Sequence, residues 1–427
     1  MSSNQQQTPK MNFIGYQCSK CGDLYGPSDV TYTCPEDGSN LDVRLDFDAI
    51  RAEATVESIS TGRESSIWRY LPLLPVGDPG NEGTQLRAVG WTPLIRSGRL
   101  AKGLGLKSLW FKDDGRNPTA SFKDRASAVV VARAIEIGAQ TVVTASTGNA
   151  GAALAGMAAA AGVPAVILAP ADAPIAKVAQ LLIFGAQVIL VDGNYDQAFD
   201  LSLEAAEEFG WYSRNTGYNP FTTEGKKTAA YEICEQLSDP AAGQWEAPEA
   251  VFVSVGDGNI ITGLHKGFKD LLELGWINHI PRLYGIQSTG SAAVTNAFEA
   301  GAEEIEPVQS DTLADSISVN LPRDGLRALR AVRETNGAMI AVEDEAILQA
   351  IPALGSEAVF AEPAGATAFA GLEEAVKRGL VSPDERIIVA ITGNGLKDVL
   401  GAMRASGDAP IIEPTLAALR KEVSQHS

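Results

Sequence analysis

The chain has 427 residues, 45% of them hydrophobic, and a formal net charge of −19. That length suffices for two or three domains with their own cores, and the acidic balance argues against a nucleic-acid surface. Histidine occurs only at His265, His279 and His426, which rules out a His-rich metal centre and leaves little for a Ser-His-Asp triad, so acid–base chemistry would fall to a lysine, a carboxylate or a cofactor.

The first residues, "MSSNQQQTPK", are polar and lack the basic start and apolar centre of a signal peptide. A disordered tail over 1–12 and a cytoplasmic location are expected. Residues 13–46 read as a small β unit carrying Cys18-x-x-Cys21 and Cys34-x-x-Asp37. Three thiols and a carboxylate at this spacing predict a zinc-ribbon-like site. The competing expectation is a metal-free knuckle in which Asp37 is only a turn residue. The fourth cysteine, Cys234, sits in a helical pattern and is expected in the core.

From about residue 90, short apolar runs alternate with helical patterns. "QTVVTAS", "PAVILAP" and "QVILVDG" read as strands, each followed by a helix; "EAVFVSVGDG", "RLYGIQS" and "RIIVAITGNG" read as later strands. This alternation predicts an α/β fold with parallel-rich sheets wrapped by helices. Ligands in such sheets bind beyond the C-terminal strand ends. The Ala/Gly-built stretch "AGAALAGMAAAAGVPAVILAP" is broken by Gly162 and Pro164 and is not expected to cross a membrane. The end of the chain carries one amphipathic helical pattern, "TLAALRKEVSQ".

Three glycine-rich turns follow predicted strands. "ASTGNAG" (145–151) opens a helix whose backbone N–H groups suit a carboxylate or phosphate. "SVGDGNIITG" (254–263) places Gly256 and Gly258 ahead of a helix expected to begin near Ile260, an anion-binding nest. It is neither a Walker A motif nor G-x-G-x-x-G, and Asp257 fits beside a dianion only if its side chain points away. "AITGNGLKD" (390–398) offers the neutral hydroxyl of Thr392. A fourth segment, "NPTASFKDRA" (117–126), puts Lys123 at a turn before an apolar helix. A surface lysine is the ordinary reading of that decapeptide alone. A phosphate nest, a carboxylate-binding turn, a hydroxyl and a lysine able to form a Schiff base together suit pyridoxal phosphate and an amino-acid substrate.

From about Cys18 to Asp398 the sequence resembles the threonine synthase branch of the fold-type II pyridoxal-phosphate enzymes. "GWTPL" (90–94), "NPFTTEGKKTAAYEI" (219–233) and "VFAEPAGATAFAGL" (359–372) match in place and order. The resemblance implies a two-domain, tryptophan synthase β-like fold. It places a ribbon at 13–46, a large cofactor domain over 47–127 plus 216–408, an inserted α/β domain over 128–215, and a C-terminal helix over 409–427. It implies Lys123 as the Schiff-base lysine and proton shuttle. It implies Asn149 at the cofactor's phenolic oxygen, Gly256, Asp257, Gly258, Asn259 and Ile260 as the cofactor-phosphate loop, and Thr392 at the ring nitrogen. Ser146, Thr147 and Gly148 would receive the substrate carboxylate. The implied protein is a homodimeric lyase that turns O-phospho-L-homoserine and water into L-threonine and phosphate.

Two departures bear on the leaving group. Where the family carries an arginine before "EGQKT", this chain has Thr222, and in "ADSISVNLP" (314–322) Ser318 stands at another expected arginine. A hydroxyl cannot supply a guanidinium's bidentate grip. Lys112 and Arg116, or Lys226 and Lys227, are the candidate replacements. The alternatives are a Ser/Thr dehydratase, a β-replacement enzyme of the same cofactor class acting on a substrate such as phosphoserine, or a non-catalytic protein of this fold.

Overall fold

A computed structural model describes residues 12–171, 173, 175–239 and 243–425. Apart from Asn12, the expected tail over 1–12 lies outside these residues. Asn12 itself is buried, its amide donating to Glu53 and to the Pro72 carbonyl.

The N-terminal unit is an antiparallel sheet of β1 (Phe13–Cys18), β2 (Leu24–Tyr25) and β3 (Leu41–Leu45), with β1 in the centre. Its alternating buried side chains (Tyr16, Val43, Leu45) join the main hydrophobic core, so the ribbon is seated on the body of the protein.

The chain then forms β4 (Leu94–Arg96) and β5 (Ser108–Asp113), and leaves that sheet to build a second one. The second sheet contains β6 (Val142–Ala145), β7 (Ala165–Pro170), β8 (Gln187–Val191) and β9 (Tyr212–Ser213), all parallel, in the order β8-β7-β6-β9. The chain returns as β10 (Ala250–Ser254), β11 (Arg282–Ser288), β12 (Ala338–Val342) and β13 (Arg386–Ile391). The first sheet then reads β12-β11-β10-β13-β5-β4, parallel except for β4 at its edge. Valine and isoleucine runs such as AVFVS and RIIVAI are buried on both faces, as sheets covered by helices on each side require. The helix Lys123–Glu136 runs unbroken through residues 127 and 128. Among the described residues no helix is long and apolar enough to cross a membrane.

Two sets of contacts fix the helices beside the future site. The helix Phe221–Leu237 is buried from Phe221 to Glu235, between the helices Lys123–Glu136 and Asn259–Glu273. It approaches the first of these so closely that a Cβ on Gly225 would lie 2.0 Å from the Arg125 carbonyl oxygen. The second set is electrostatic. The Arg125 guanidinium meets Asp114 at 2.7 Å and Glu232 at 2.5 Å, and Lys112 Nζ meets Glu232 at 2.6 Å, all four side chains being fully buried. Two cations and two carboxylates balance there, and Thr92 and Thr228 hydroxyls complete the bonding.

Removing one member of such a cluster strands the opposite charge in a dry interior. Glu232→Ala should lower stability by about 3–5 kcal/mol, read from chemical denaturation of the apoprotein. A change inside experimental scatter would show that the cluster is not holding these elements together.

Candidate active site

The site lies where parallel strands end. Beyond β6 comes Ser146, beyond β10 come Gly256 to Ile260, beyond β13 comes Thr392, and β5 leads into the turn that carries Lys123. A cavity of about 520 Å3 is lined by Lys123, by Ser146 to Ala150, and by Tyr195, Arg214, Asp257 and Ser318 among others. A recess sharing Lys123, Asp257 and Thr216 with it is lined by Gly256 to Ile260, Lys226, Ser254, Glu362 and Thr392.

The lysine turn is folded by its own sequence. Asp124 accepts the Thr119 N–H at 2.6 Å and also the Thr119 hydroxyl, closing the segment that precedes the helix. Asn117 bonds Asp114 and receives the Gly90 N–H. Ala120 is held at φ +66°, a left-handed conformation that an L side chain resists. The turn is pinned there by its carbonyl, which accepts the Asn394 N–H at 3.0 Å, while Phe122 N–H donates to the Thr392 carbonyl at 2.9 Å. Lys123 and Thr392 are thereby tied through backbone, and the motif's other residues act as a frame for one amine.

Lys123 is half-buried, its exposed part facing the cavity. Burial lowers its affinity for a proton, as does the Arg214 guanidinium, against the opposing pull of Glu362 and Asp257. The neutral amine is the form that attacks a carbonyl, and the shift is in that direction. Glu362 is fully buried beside it, and burial pushes its carboxyl up to about 7 despite Lys123 and Lys397 nearby. It accepts the Asn149 amide at 2.7 Å. Gly393 makes room for it, since a Cβ there would sit 2.2 Å from Glu362 Oε1. Glu362 was visible in the sequence only as part of "FAEPAG". Its polarity at the start of a buried, small-residue helix was the available signal.

The glycine loop leads into the helix Asn259–Glu273, one residue earlier than the sequence suggested. Gly258 takes φ +93°, and a Cβ on it would lie 2.7 Å from the Asp324 carbonyl oxygen. Asn259 lines the recess, but its side chain is a brace, donating to Thr223 at 2.8 Å and Asp324 at 2.6 Å and accepting from Lys226 at 2.5 Å. The Asp257 carboxylate accepts the Arg323 N–H at 3.3 Å, and burial raises its pKa. Lys226 is fully buried without a carboxylate ion pair among the described residues. Burial, then Lys123 and Arg214, push its pKa well below the usual lysine range. A buried lysine that an anion would help to protonate, beside a loop that a Cβ would fill, is the chemistry expected of a phosphate cradle, so the residues present fit pyridoxal phosphate. Thr392, with Ser254 Oγ 3.4 Å from its hydroxyl, offers neutral partners at the other end.

The turn Ser146 to Gly148, expected to receive a carboxylate, opens the helix Asn149–Ala161 at the cavity wall. The candidate cations divide. Lys112 is sealed under Glu232, Gln236 and the Thr92 carbonyl, and Lys227 under Glu224 and Asp270. Arg116 is exposed and paired with Asp113. None of these three lines the cavity, because each is consumed by the scaffold or by solvent. Thr222 is likewise turned to Asn219 and Asn259, whereas Ser318 is on the cavity wall. Arg214, which no sequence motif singled out, is there as well.

Residues 86–393 match the family described as pyridoxal-phosphate dependent enzyme. The threonine synthase of Methanocaldococcus jannaschii is 39% identical, over 95% of this chain and 98% of its own. That of Methanosarcina acetivorans is 36% identical, with the same two coverages. The chain belongs to the threonine synthase family of pyridoxal-phosphate-dependent enzymes. Its fold matches the processed form of threonine deaminase isoform 2 from Solanum lycopersicum, with a TM-score of 0.65 at 23% identity, covering 81% of this chain and 90% of that one. At that identity the likeness shows the fold alone. It is the α/β architecture of fold-type II enzymes.

The phosphate cradle yields a direct test. Gly258→Val adds a branched side chain at positive φ against the Asp324 carbonyl. The purified variant should lose cofactor on dialysis while the wild type keeps it, followed by visible absorbance. Equal retention would remove this loop from the cofactor site.

Proposed function

We propose that this chain is a lyase that converts O-phospho-L-homoserine and water into L-threonine and phosphate. The observation that carries the reading is the likeness to threonine synthases along 95% of the chain, joined to a recess and an adjoining cavity that share Lys123 and are lined by the glycine loop and by the turn Ser146 to Gly148. The dehydratase and β-replacement readings have support only from fold.

When bound, the cofactor supplies an electron sink for carbanions at the substrate's Cα and Cβ. The chain's own residues do the rest. Gly256 to Ile260 and Lys226 hold the cofactor's phosphate, and Thr392 with Ser254 gives its ring nitrogen neutral partners. Lys123 would hold the cofactor through its amine, and that amine would move protons at the substrate's Cα and Cβ. Asn149 and Glu362, bonded to each other, would orient the cofactor, and Glu362, titrating near neutrality, can hold or release a proton there. Ser146, Thr147 and Gly148 receive the substrate carboxylate through the helix N-terminus.

The two sheets support a division into a large domain, 47–127 plus 216–408, and an inserted one, 128–215, with the site between them. The reading includes a cytoplasmic homodimer. Exposed apolar side chains at Leu396, Leu400 and Met403, close to the site, support an interface there.

We also propose one structural zinc in the ribbon. Cys18, Cys21, Cys34 and Asp37 each offer one ligand atom, all within 4.8 Å of one another. Four protein donors leave no position for water, so the role would be structural. Elemental analysis should find about one zinc per chain, and Cys34→Ser should lower it with the cofactor's spectrum unchanged. Metal far below that level in protein prepared without chelator would leave a metal-free knuckle, with Asp37 a turn residue bonding the Ser39 N–H.

The activity itself is tested by supplying O-phospho-L-homoserine and measuring inorganic phosphate and threonine, which should appear in equal amounts. Lys123→Ala should abolish both, together with borohydride fixation of cofactor to the chain. 2-Oxobutyrate formed from L-threonine, with no phosphate released from O-phospho-L-homoserine, would favour a dehydratase.

A further inference from the structure

Three arginines are buried among the described residues, and two of them are neutralised. Arg125 is clamped by Asp114 and Glu232, Arg327 by Asp324 and Asp42. Arg214 is fully buried and has no carboxylate partner. Its Nε donates to Ser127 Oγ at 3.1 Å and its Nη1 to Thr216 Oγ1 at 2.6 Å, while Nη2 has no partner at all. A guanidinium has five donors in a fixed planar fork. Leaving part of that fork unpaired in a dry interior is costly unless a ligand completes it.

The residue lines the cavity, on the wall formed where β9 ends. Its backbone is fixed there by donation from its N–H to the Val143 carbonyl at 2.8 Å. The other walls have assigned tasks, with the amine at Lys123, the carboxylate at Ser146 to Gly148 and the cofactor's phosphate at Gly256 to Ile260. A substrate held by its amino and carboxylate ends must extend its side chain towards what remains. On that wall Arg323 is already paired with Asp196 at 3.0 Å, and Ser318 and Asn320 are neutral. The free fork belongs to Arg214.

We infer that Arg214 binds the phosphate leaving group of the substrate, supplying from the end of β9 the guanidinium that Thr222 and Ser318 do not. The inference rests on the proposed substrate, O-phospho-L-homoserine. It makes Arg214 a substrate-binding and specificity-determining residue, in which two N–H groups keep the fork oriented and the remaining ones face the anion. The same fork would hold inorganic phosphate as product, so phosphate should inhibit competitively through this residue.

The test uses holoenzyme of the wild type, Arg214→Gln and Arg214→Lys, with three ligands. These are O-phospho-L-homoserine by KM and kcat, inorganic phosphate by its inhibition constant, and L-threonine by the change it causes in the cofactor's absorbance. Loss of charge-assisted hydrogen bonds predicts that Arg214→Gln raises KM and the phosphate inhibition constant by about tenfold or more. L-Threonine has the carboxylate but no phosphate and should bind as before. Arg214→Lys keeps the charge without the fork and should recover part of the loss. Should Arg214→Gln fail to fold, Arg214→Lys gives the same answer through a selective rise in the phosphate inhibition constant with L-threonine binding unchanged. Equal weakening of L-threonine and phosphate would assign Arg214 to the carboxylate instead and overturn the inference. So would unchanged phosphate inhibition in an active Arg214→Gln enzyme. A wild-type enzyme that releases no phosphate from O-phospho-L-homoserine would overturn the substrate reading, and the inference with it.

Discussion

Arg125 is the point on which the site's geometry depends. It belongs to the same turn of helix as Lys123, and its guanidinium ties that turn to Asp114 after β5 and to Glu232 on the helix Phe221–Leu237. Through Glu232 the tie extends to Lys112 on β5 and to the backbone N–H groups of Trp91 and Thr92. A buried cluster of this kind adds little net stability compared with an apolar replacement, but it tolerates few arrangements. Here that intolerance is useful, because Lys123 must meet the ends of β10 and β13 at a fixed distance. The close approach at Gly225 serves the same end: a methyl group there would push the helix off the Arg125 carbonyl and shift the amine with it.

Balanced and unbalanced charge distinguish frame from site. The Arg125 cluster has two cations against two anions and no room for a ligand. Around the cavity, Lys123, Lys226 and Arg214 face Asp257 and Glu362, and the pKa values of both carboxyls are raised by burial. A protein with a net charge of −19 thus gathers three basic side chains in one enclosure. Burial makes each unpaired cation expensive, and every dianion that enters lowers that expense. Steering towards the cavity therefore comes from local groups, against the field of the whole surface.

Much of the architecture was legible because strands and turns speak locally. The runs QTVVTAS, PAVILAP, QVILVDG, EAVFVSV, RLYGIQS and RIIVAIT all contain strands, and the glycine turns follow three of them. The strands β4, β5, β9 and β12 were not read from the sequence; β4 and β9, of two or three residues, carry no periodicity and depend on their neighbours for pairing. Lys123 could be found because its motif is long and ordered. Lys112 was named as a phosphate-binding candidate because sequence adjacency looks like spatial adjacency. It lies one strand end away from the lysine turn, but its side chain points to Glu232, inside the frame. Arg214 went unnoticed for the opposite reason. An arginine in "WYSRNTG" says nothing until the fold shows that it is buried and that no carboxylate comes to meet it.

The ribbon shows where local spacing and distant packing contribute separately. Cys18, Cys21, Cys34 and Asp37 converge because β1 and the turns around it bring them together, whatever the rest of the chain does. The unit's attachment is non-local. Asn40 donates to the Gly217 carbonyl at 2.5 Å, Tyr32 OH receives the Ser213 N–H at 2.9 Å, and Lys266 donates to the Val43 carbonyl at 2.8 Å. Two of these bonds land on residues flanking Arg214, in the segment that leaves β9 and becomes the cavity wall. Tyr32 also stacks on Tyr218, with ring centroids 4.5 Å apart. The ribbon therefore braces the segment that carries Arg214, and through Asp42, Arg327 and Asp324 it also reaches Asn259 in the glycine loop. Loosening the ribbon should disturb the Arg214 segment and the glycine loop before the Lys123 turn, which is held by Asp124, Thr392 and Arg125 from within the large sheet.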